Sequence, residues 1–402
     1  MLNKISTLKN LSHKTVLLRV DFNVPLKNGK VSEDSRIVAS LPTINYLQKQ
    51  KAKVVLMAHL GRPSGKVNKE FSLKPVAELL GKKLKQSVKL IDLGSGEVEP
   101  KKFGNAKKEI TNLKPGQVIM LENTRFLAGE EKNDLELSKI LASLGKVFVF
   151  DGFAVAHRAA ASVSGVARYL PTYAGLLMAN EVANLSKIMQ KPKRPFVAIV
   201  GGAKMETKVP VLKSLVKIAD QILVGGGISN TILSARGYGI GNSICDKNLL
   251  TTAKLIAKNK KIILPIDVVV GDKTGKNWRV VEIGPKPHEI CKKNEAIFDV
   301  GPATVQQFKI LIGRAKSALW NGAMGWFEQA PYGEGTFAIA QVLAAVTQKG
   351  AFTVAGGGET VEVLLAKKIS QKISFVSTGG GAMLEFISGQ KLPGVKILAG
   401  KK

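Results

Sequence analysis

Arg36, Arg62, Arg125 and Arg158 are four of only ten arginines in a chain that carries 50 lysines, and each falls just past a short apolar run or at the opening of a helix. A guanidinium fork binds phosphate or carboxylate through two parallel N–H donors, which a lysine point charge cannot do. His59 and His157, two of the four histidines, sit at the same kind of position. One such arginine is as readily a helix cap or the partner of a surface acid. Four at one edge of a single sheet are hard to explain that way. The chemistry they suit is capture of a small, multiply anionic ligand.

The second half carries glycine at the equivalent points. Gly201-Gly202-Ala203-Lys204, Gly225-Gly226-Gly227, Gly356-Gly357-Gly358-Glu359-Thr360 and Gly379-Gly380-Gly381 each follow an apolar run and precede a helix-like stretch. Glycine lets backbone N–H groups approach an anion, and the following helix points its positive end at it. Four such turns indicate phosphate and ribose binding. Lys204 and Lys208 are spaced one helical turn apart at a predicted helix start, where an ammonium can reach a phosphate chain. Glu359 is a candidate Mg²⁺ ligand, direct or through water. Glu328, closing Trp320-Asn321-Gly322-Ala323-Met324-Gly325-Trp326-Phe327-Glu328, can accept from ribose hydroxyls or pair with a surface lysine. No Gly-x-x-x-x-Gly-Lys-[Ser/Thr] occurs, which excludes a P-loop enzyme. Gly237-Tyr238-Gly239-Ile240-Gly241 follows a helix rather than a strand and reads as a turn.

These residues need elements to hold them. Apolar runs of about five residues are predicted strands at 15–20, 53–58, 88–92, 117–122 and 146–150, then at 196–200, 221–225, 261–265, 317–321, 351–355 and 373–378. Helix-like stretches lie at 73–84, 135–144, 180–190, 210–218, 336–347 and 361–366, and Ser32-Glu33-Asp34-Ser35-Arg36 opens the first helix. Continuous apolar strands alternating with helices indicate parallel sheets covered on both faces. The expected fold is α/β, with two doubly wound, Rossmann-like domains joined by a hinge helix. The expected boundaries are 1–175 for the first domain, 176–194 for the linker helix, which ends in Lys191-Pro192-Lys193-Arg194-Pro195, and 195–389 for the second domain. In such sheets ligands bind beyond the carboxyl ends of the strands.

At 402 residues and 45% hydrophobic, the chain is long enough for two cores. Cys245 and Cys291 form no Cys-x-x-Cys pair, so two buried or half-buried thiols are expected rather than a metal site or disulfide. No apolar run is long enough to span a membrane, and the first 18 residues lack the apolar segment of a secretory signal, so a cytoplasmic location is expected. The formal net charge is +30, with 29 basic and 15 acidic residues in the first 170 positions and the excess continuing beyond them. Lysine spread so evenly is a general surface coat rather than a nucleic-acid face, and any nucleic-acid binding is expected to be weak and salt-sensitive. A monomer acting on small molecules is expected.

The motifs together resemble phosphoglycerate kinase along essentially the whole chain. Arg19-Val20-Asp21-Phe22-Asn23-Val24-Pro25, Ala58-His59-Leu60-Gly61-Arg62-Pro63, Glu122-Asn123-Thr124-Arg125-Phe126, Ala156-His157-Arg158-Ala159, Gly201-Gly202-Ala203-Lys204, Trp320-Asn321-Gly322 and Ser377-Thr378-Gly379-Gly380-Gly381-Ala382 stand in that family's order. The resemblance implies that Asp21, Asn23, Arg36, His59, Arg62, Arg125 and Arg158 bind 3-phosphoglycerate or its acyl phosphate. It implies that Gly202, Ala203, Lys204, Lys208, Gly226, Gly227, Asn321, Glu328, Gly357, Gly358, Glu359 and Thr360 bind Mg-ATP or Mg-ADP, with Glu359 at the metal. Arg36, Lys208, Gly357 and Gly380 would stabilise the transferring phosphoryl group. It also implies that the C-terminal tail, 390–402, returns to the first domain. This chain departs from the family pattern at Glu359 (Asp in the family), Ala323 (Pro), Gly152 and Val155 (within Asp-Ala-Phe-Gly-Thr) and Ala160 (a second His).

The implied reaction is reversible, in-line phosphoryl transfer between a nucleotide and a carboxyl group, after a hinge closure. A carboxylate is already ionised at neutral pH, so the acceptor needs no general base. Catalysis then rests on positioning and charge. Two other readings compete: a nucleotide-using ligase or dehydrogenase, which would want a ribose-binding acid after a Gly-x-Gly-x-x-Gly turn, and a basic nucleic-acid-binding protein.

Overall fold

A computed structural model describes residues 2–400. The chain divides into two compact units: one takes the chain up to Val182 and again from Lys391, the other takes Ala183–Gln390.

In the first unit the elements run β1 (Thr15–Arg19), the short hairpin β2 (Leu26–Lys27) and β3 (Lys30–Val31), α1 (Ser35–Lys49), β4 (Lys53–Met57), α2 (Lys74–Leu84), β5 (Lys89–Ile91), α3 (Pro100–Asn112), β6 (Val118–Leu121), α4 (Leu135–Ala142), β7 (Val147–Phe150) and β8 (Thr172–Ala174). Six strands form one sheet in the order β5-β6-β4-β1-β7-β8, every pair parallel. Val16, Leu18, Val54, Leu56, Val118, Met120, Val147 and Val149 are fully or almost fully buried with α1 and α2 residues such as Ile44, Leu47, Val76 and Leu80. Both sheet faces are covered, which is why the strands read as unbroken apolar runs. The chain fills one side of β1 with β4, β5 and β6, then crosses to the other side for β7 and β8. That reversal opens a crevice at the carboxyl edge beside β1.

The chain continues through α5 (Leu176–Gln190) into the second unit. There follow β9 (Phe196–Val200), α6 (Val209–Ile218), β10 (Gln221–Val224), α7 (Gly226–Ala235), α8 (Leu250–Ile256), β11 (Ile262–Ile263), β12 (Asp267–Gly271), β13 (Trp278–Glu282), β14 (Ala296–Val300), α9 (Pro302–Gly313), β15 (Ser317–Asn321), α10 (Glu334–Gln348), β16 (Phe352–Gly356), α11 (Gly358–Ala366), β17 (Phe375–Ser377) and α12 (Gly381–Ile387). The second sheet, β11-β10-β9-β15-β16-β17, is again all parallel, with β9 at the reversal point. The last segment, α13 (Pro393–Lys396), packs in the first unit, where Gly394 donates its N–H to the Ala156 carbonyl at 2.8 Å and Asn3 donates to Leu398 at 2.9 Å.

Several strands were not expected from the sequence, the short β2–β3 hairpin among them. β8 is a short edge strand with only one buried residue, too brief to stand out as an apolar run. β12, β13 and β14 form a separate antiparallel sheet. Its β13 alternates exposed and half-buried residues, including Arg279 between Trp278 and Val280, so its pattern is neither continuous nor strongly apolar.

Candidate functional site

The carboxyl edge of the first sheet gathers most of the residues singled out there. Asp21, just past β1, accepts from Arg36 of α1 at 2.5 Å, and its other oxygen accepts the Asn23 N–H at 3.1 Å. The Asn23 side chain accepts the Gly61 N–H at 2.9 Å, while the Gly61 carbonyl accepts from Arg125 Nη1 at 2.7 Å. Arg125 Nη2 reaches Glu131 at 3.0 Å, and Arg158 Nη1 reaches the same oxygen at 3.5 Å. The loops after β1, β4, β6 and β7 are thus tied into one polar network. Arg62 is exposed and lies outside this chain of bonds. A cavity of about 330 Å³ lies against Arg19, Arg125, Glu130, Glu131, Arg158 and Ala160.

Arg19 and Glu130 belong to this site although sequence reasoning assigned them no role. Arg19 ends β1 with only 2% of its surface exposed. Its Nε donates to Ser162 Oγ at 2.8 Å, one terminal nitrogen donates to the Val20 carbonyl, and Nη2 lies 3.3 Å from His59 Nδ1. Glu130, equally buried, accepts from Thr124 Oγ1 (3.1 Å), Ser162 Oγ (2.5 Å) and Ser162 N (3.0 Å). A fully buried guanidinium requires such a compensating carboxylate. An arginine closing an otherwise apolar strand was the available signal.

This crowd of positive charge fixes the state of His59. Burial first, then Arg19, Arg125, Arg158 and Arg36, hold its pKa well below the usual histidine range. The ring is neutral at pH 7. Because an arginine can only donate, Nδ1 is the acceptor for Arg19, so the ring proton sits on Nε2 as a donor.

In the second unit the glycine turns bring a different chemistry to the equivalent edge. A cavity of about 670 Å³ is lined by Gly202, Gly226, Phe298, Met324, Glu328 and Glu359, among others, including Ala203 and Gly227. Phe298 and Trp326 stand 5.5 Å apart, and Tyr332 stacks on Phe298 at 4.5 Å, giving the cavity an aromatic wall. Beside it, Asn321 at the end of β15 accepts from Lys208 Nζ and donates to the Gly356 carbonyl at 2.6 Å. Gly322 N donates to Thr360 Oγ1 at 2.7 Å, and the next N–H, that of Ala323, donates to Glu359 Oε2 at 3.1 Å. Gly357 caps α11 with φ +101°, and a Cβ there would press on Asn321 Nδ2 at 2.6 Å, so both conformation and space demand glycine. Gly358 and Gly380 stand at the starts of α11 and α12 with no neighbour within 4 Å of an added Cβ, and neither lines the cavity.

The lysines need a correction. Lys204 and Lys208 are not one turn apart on a helix: residues 201–207 form an irregular loop, and Lys208 is the residue before α6. Asp246 holds this loop by accepting the Met205 and Glu206 N–H groups at 2.5 and 3.1 Å, and Pro210 stands at the helix start. Lys204 is exposed, whereas Lys208 is buried and points at Asn321. Burial lowers the Lys208 pKa to about 8, and Glu359 opposes that shift.

A family model described as "Phosphoglycerate kinase" matches residues 5–390. A curated relative, phosphoglycerate kinase of Coxiella burnetii (strain RSA 493 / Nine Mile phase I), is 44% identical over 396 residues, covering 97% of this chain and 96% of that protein. The chain belongs to the phosphoglycerate kinase family. The solved structure of phosphoglycerate kinase from Coxiella burnetii superposes with a TM-score of 0.85 at 43% identity over 99% of both chains. That of Pyrococcus horikoshii OT3 gives 0.83 at 31% identity, over 99% of this chain and 98% of the other. Phosphoglycerate kinases are phosphotransferases with a carboxyl group as acceptor, and the two parallel-sheet α/β units are those of this family. Among the described residues no helix is long and apolar enough to cross a membrane.

Within the family pattern, the departures at Ala323 and Glu359 meet in space. A proline at position 323 would have no N–H to give, and an aspartate at 359 would be one methylene shorter. Ala160 is buried against the first unit's cavity, where a histidine would take up part of that space.

Proposed function

We propose that this enzyme transfers a phosphoryl group reversibly between 1,3-bisphosphoglycerate with Mg-ADP and 3-phosphoglycerate with Mg-ATP, in glycolysis and gluconeogenesis. The observation that carries the substrate assignment is the guanidinium network of the first unit, in which Arg36, Arg125 and Arg158 are linked through Asp21, Asn23, Gly61 and Glu131. A phosphate and a carboxylate on a three-carbon acid suit those forks, with Arg62 at the exposed rim and His59 Nε2–H as a neutral donor.

On the second unit the nucleotide base and ribose suit the cavity between Phe298, Trp326 and Glu328, with Gly202, Ala203, Gly226 and Gly227 beside them. Lys204, Lys208, Asn321, Gly358 and Thr360 surround the phosphates. Magnesium keeps several waters and is commonly held through one or two carboxylates together with substrate phosphates. Glu359 suits that role, as an exposed carboxylate with one oxygen held by Ala323 N–H, and among the described residues no three His, Cys, Asp or Glu side chains gather into an all-protein cage. When bound, the metal neutralises phosphate charge.

The acceptor carboxylate attacks unaided. Arg36, the Lys208 ammonium and the N–H groups at Gly357 and Gly380 offset the charge spread over the equatorial oxygens in transfer. Because acid and nucleotide are held on different units, transfer follows a closure that also excludes water. The same reading carries a monomeric cytoplasmic enzyme. An assay of R36A tests the role of Arg36: kcat should fall by orders of magnitude with ADP affinity kept, and unchanged turnover would remove Arg36 from the reaction.

A further inference from the structure

Two neighbouring acids meet the first unit's arginines in different ways. Glu130 is 1% exposed, and its two oxygens accept three hydrogen bonds from Thr124 and Ser162. It is a fixed counter-ion for the buried Arg19. Glu131 has a side chain 45% exposed, and one oxygen of it spans Arg125 Nη2 at 3.0 Å and Arg158 Nη1 at 3.5 Å. Arg125 is otherwise committed, with Nη1 on the Gly61 carbonyl. Its other terminal nitrogen, Nη2, is the one Glu131 occupies, and both residues line the cavity.

We propose that Glu131 is a resident surrogate anion: it occupies the space between Arg125 and Arg158 in the free enzyme and swings away when the phosphorylated acid binds, so that it sets the affinity for that acid. This rests on the reading that these two arginines receive the substrate. The bridge is modest in strength, because solvent screens the half-exposed Glu131 carboxylate and the exposed Arg158, although Arg125 itself is buried. A dianionic phosphate on two guanidinium forks gains charge-assisted, bidentate bonds. The phosphate therefore wins, and Glu131 can swing into water at little cost because it is already half in it. Until it moves, only a fraction of the enzyme is ready to bind, and apparent affinity falls by that fraction. Glu130 cannot act this way, since its removal would strand Arg19.

Calorimetric titration with 3-phosphoglycerate at low salt tests this on the full chain. E131Q, which keeps the shape and loses the charge, should bind about fivefold more tightly than the unaltered enzyme, the upper end of the scale for an ion pair whose carboxylate is half in solvent. ADP affinity should not change, and E131A should behave as E131Q does. R158A should bind the acid more weakly. Unchanged or weaker acid binding by E131Q would make Glu131 a brace for the arginines and overturn the proposal, as would failure of both Glu131 variants to fold. If R158A binds the acid as well as the unaltered enzyme, the assignment of the arginines themselves fails, whatever E131Q does.

Discussion

Ala323 donates its backbone N–H to Glu359 Oε2 at 3.1 Å, directly after Gly322 donates to Thr360 Oγ1 at 2.7 Å. Two consecutive N–H groups beyond β15 are thereby spent on the first turn of α11. Both partners of the first bond differ from the family pattern, and each difference makes the other useful. The alanine supplies the N–H that a proline lacks, and the longer side chain reaches it.

The pair should therefore behave as one unit in a double-mutant cycle. E359D and A323P should each raise the KM for Mg-nucleotide several-fold. The double variant should be little worse than either alone, leaving a coupling of about 1 kcal/mol, the usual worth of one such hydrogen bond. Additive losses would mean that the bond does not orient Glu359.

Lys208 gives the proposed nucleotide site a pH limit. Burial lowers its pKa to about 8, so the free enzyme loses the ammonium as pH rises through that value. The pH profile of kcat/KM for ATP should fall on the alkaline side near pH 8. In the profile of kcat the limb should move higher, because bound phosphates favour the charged form. K208R should lack the alkaline limb, since a guanidinium stays protonated.

His59 should stay neutral. With its pKa held well below 6.5 by burial and four arginines, its ring resonances should not titrate in NMR spectra recorded between about pH 6 and pH 8. R19A should raise its pKa, because it removes the strongest of those charge interactions. Substrate binding would show an inflection of its own from the phosphate, so the ring itself is the group to watch.

Asp299 lines the larger cavity of the second unit, is buried, and accepts from Val300 N at 2.8 Å and Gly335 N at 2.7 Å. Desolvation raises its pKa from 3.8 to about 8. A carboxyl raised in the folded state contributes stability that is full below its unfolded pKa and is lost as pH rises through the folded one. D299N keeps one acceptor oxygen and loses the other, so it should be less stable than the parent at about pH 5, by about 1–3 kcal/mol. The gap should narrow towards pH 8. Thermal melts across that range would measure it.

The residues that line these candidate sites were legible because their types are placed unevenly along the chain. Arginine past β1, β4, β6 and β7, and glycine past β9, β10, β16 and β17, stand out against a lysine coat. The strands were legible because burial on both faces leaves a continuous apolar run. What stayed hidden depends on long-range contact. Arg19 looked like the end of a strand until Ser162, 143 positions away, was beside it. Phe298 and Trp326 had no common pattern in the chain, and the antiparallel sheet that carries Phe298 lacks strong alternation. Lys208 reads as helical from spacing, which cannot show that Asp246 holds the preceding segment as a loop.

The proposed reaction moves a phosphoryl group between a phosphorylated acid on one unit and a nucleotide on the other. Phosphorus NMR of the purified chain with 3-phosphoglycerate, ATP and Mg²⁺, with the acyl phosphate trapped as it forms, measures that directly. The expected result is ADP, phosphate and the trapped acyl product appearing in equal amounts and only when 3-phosphoglycerate is present, with R36A slower by orders of magnitude. ATP left intact, or hydrolysed to ADP and phosphate with no trapped acyl product, would contradict it.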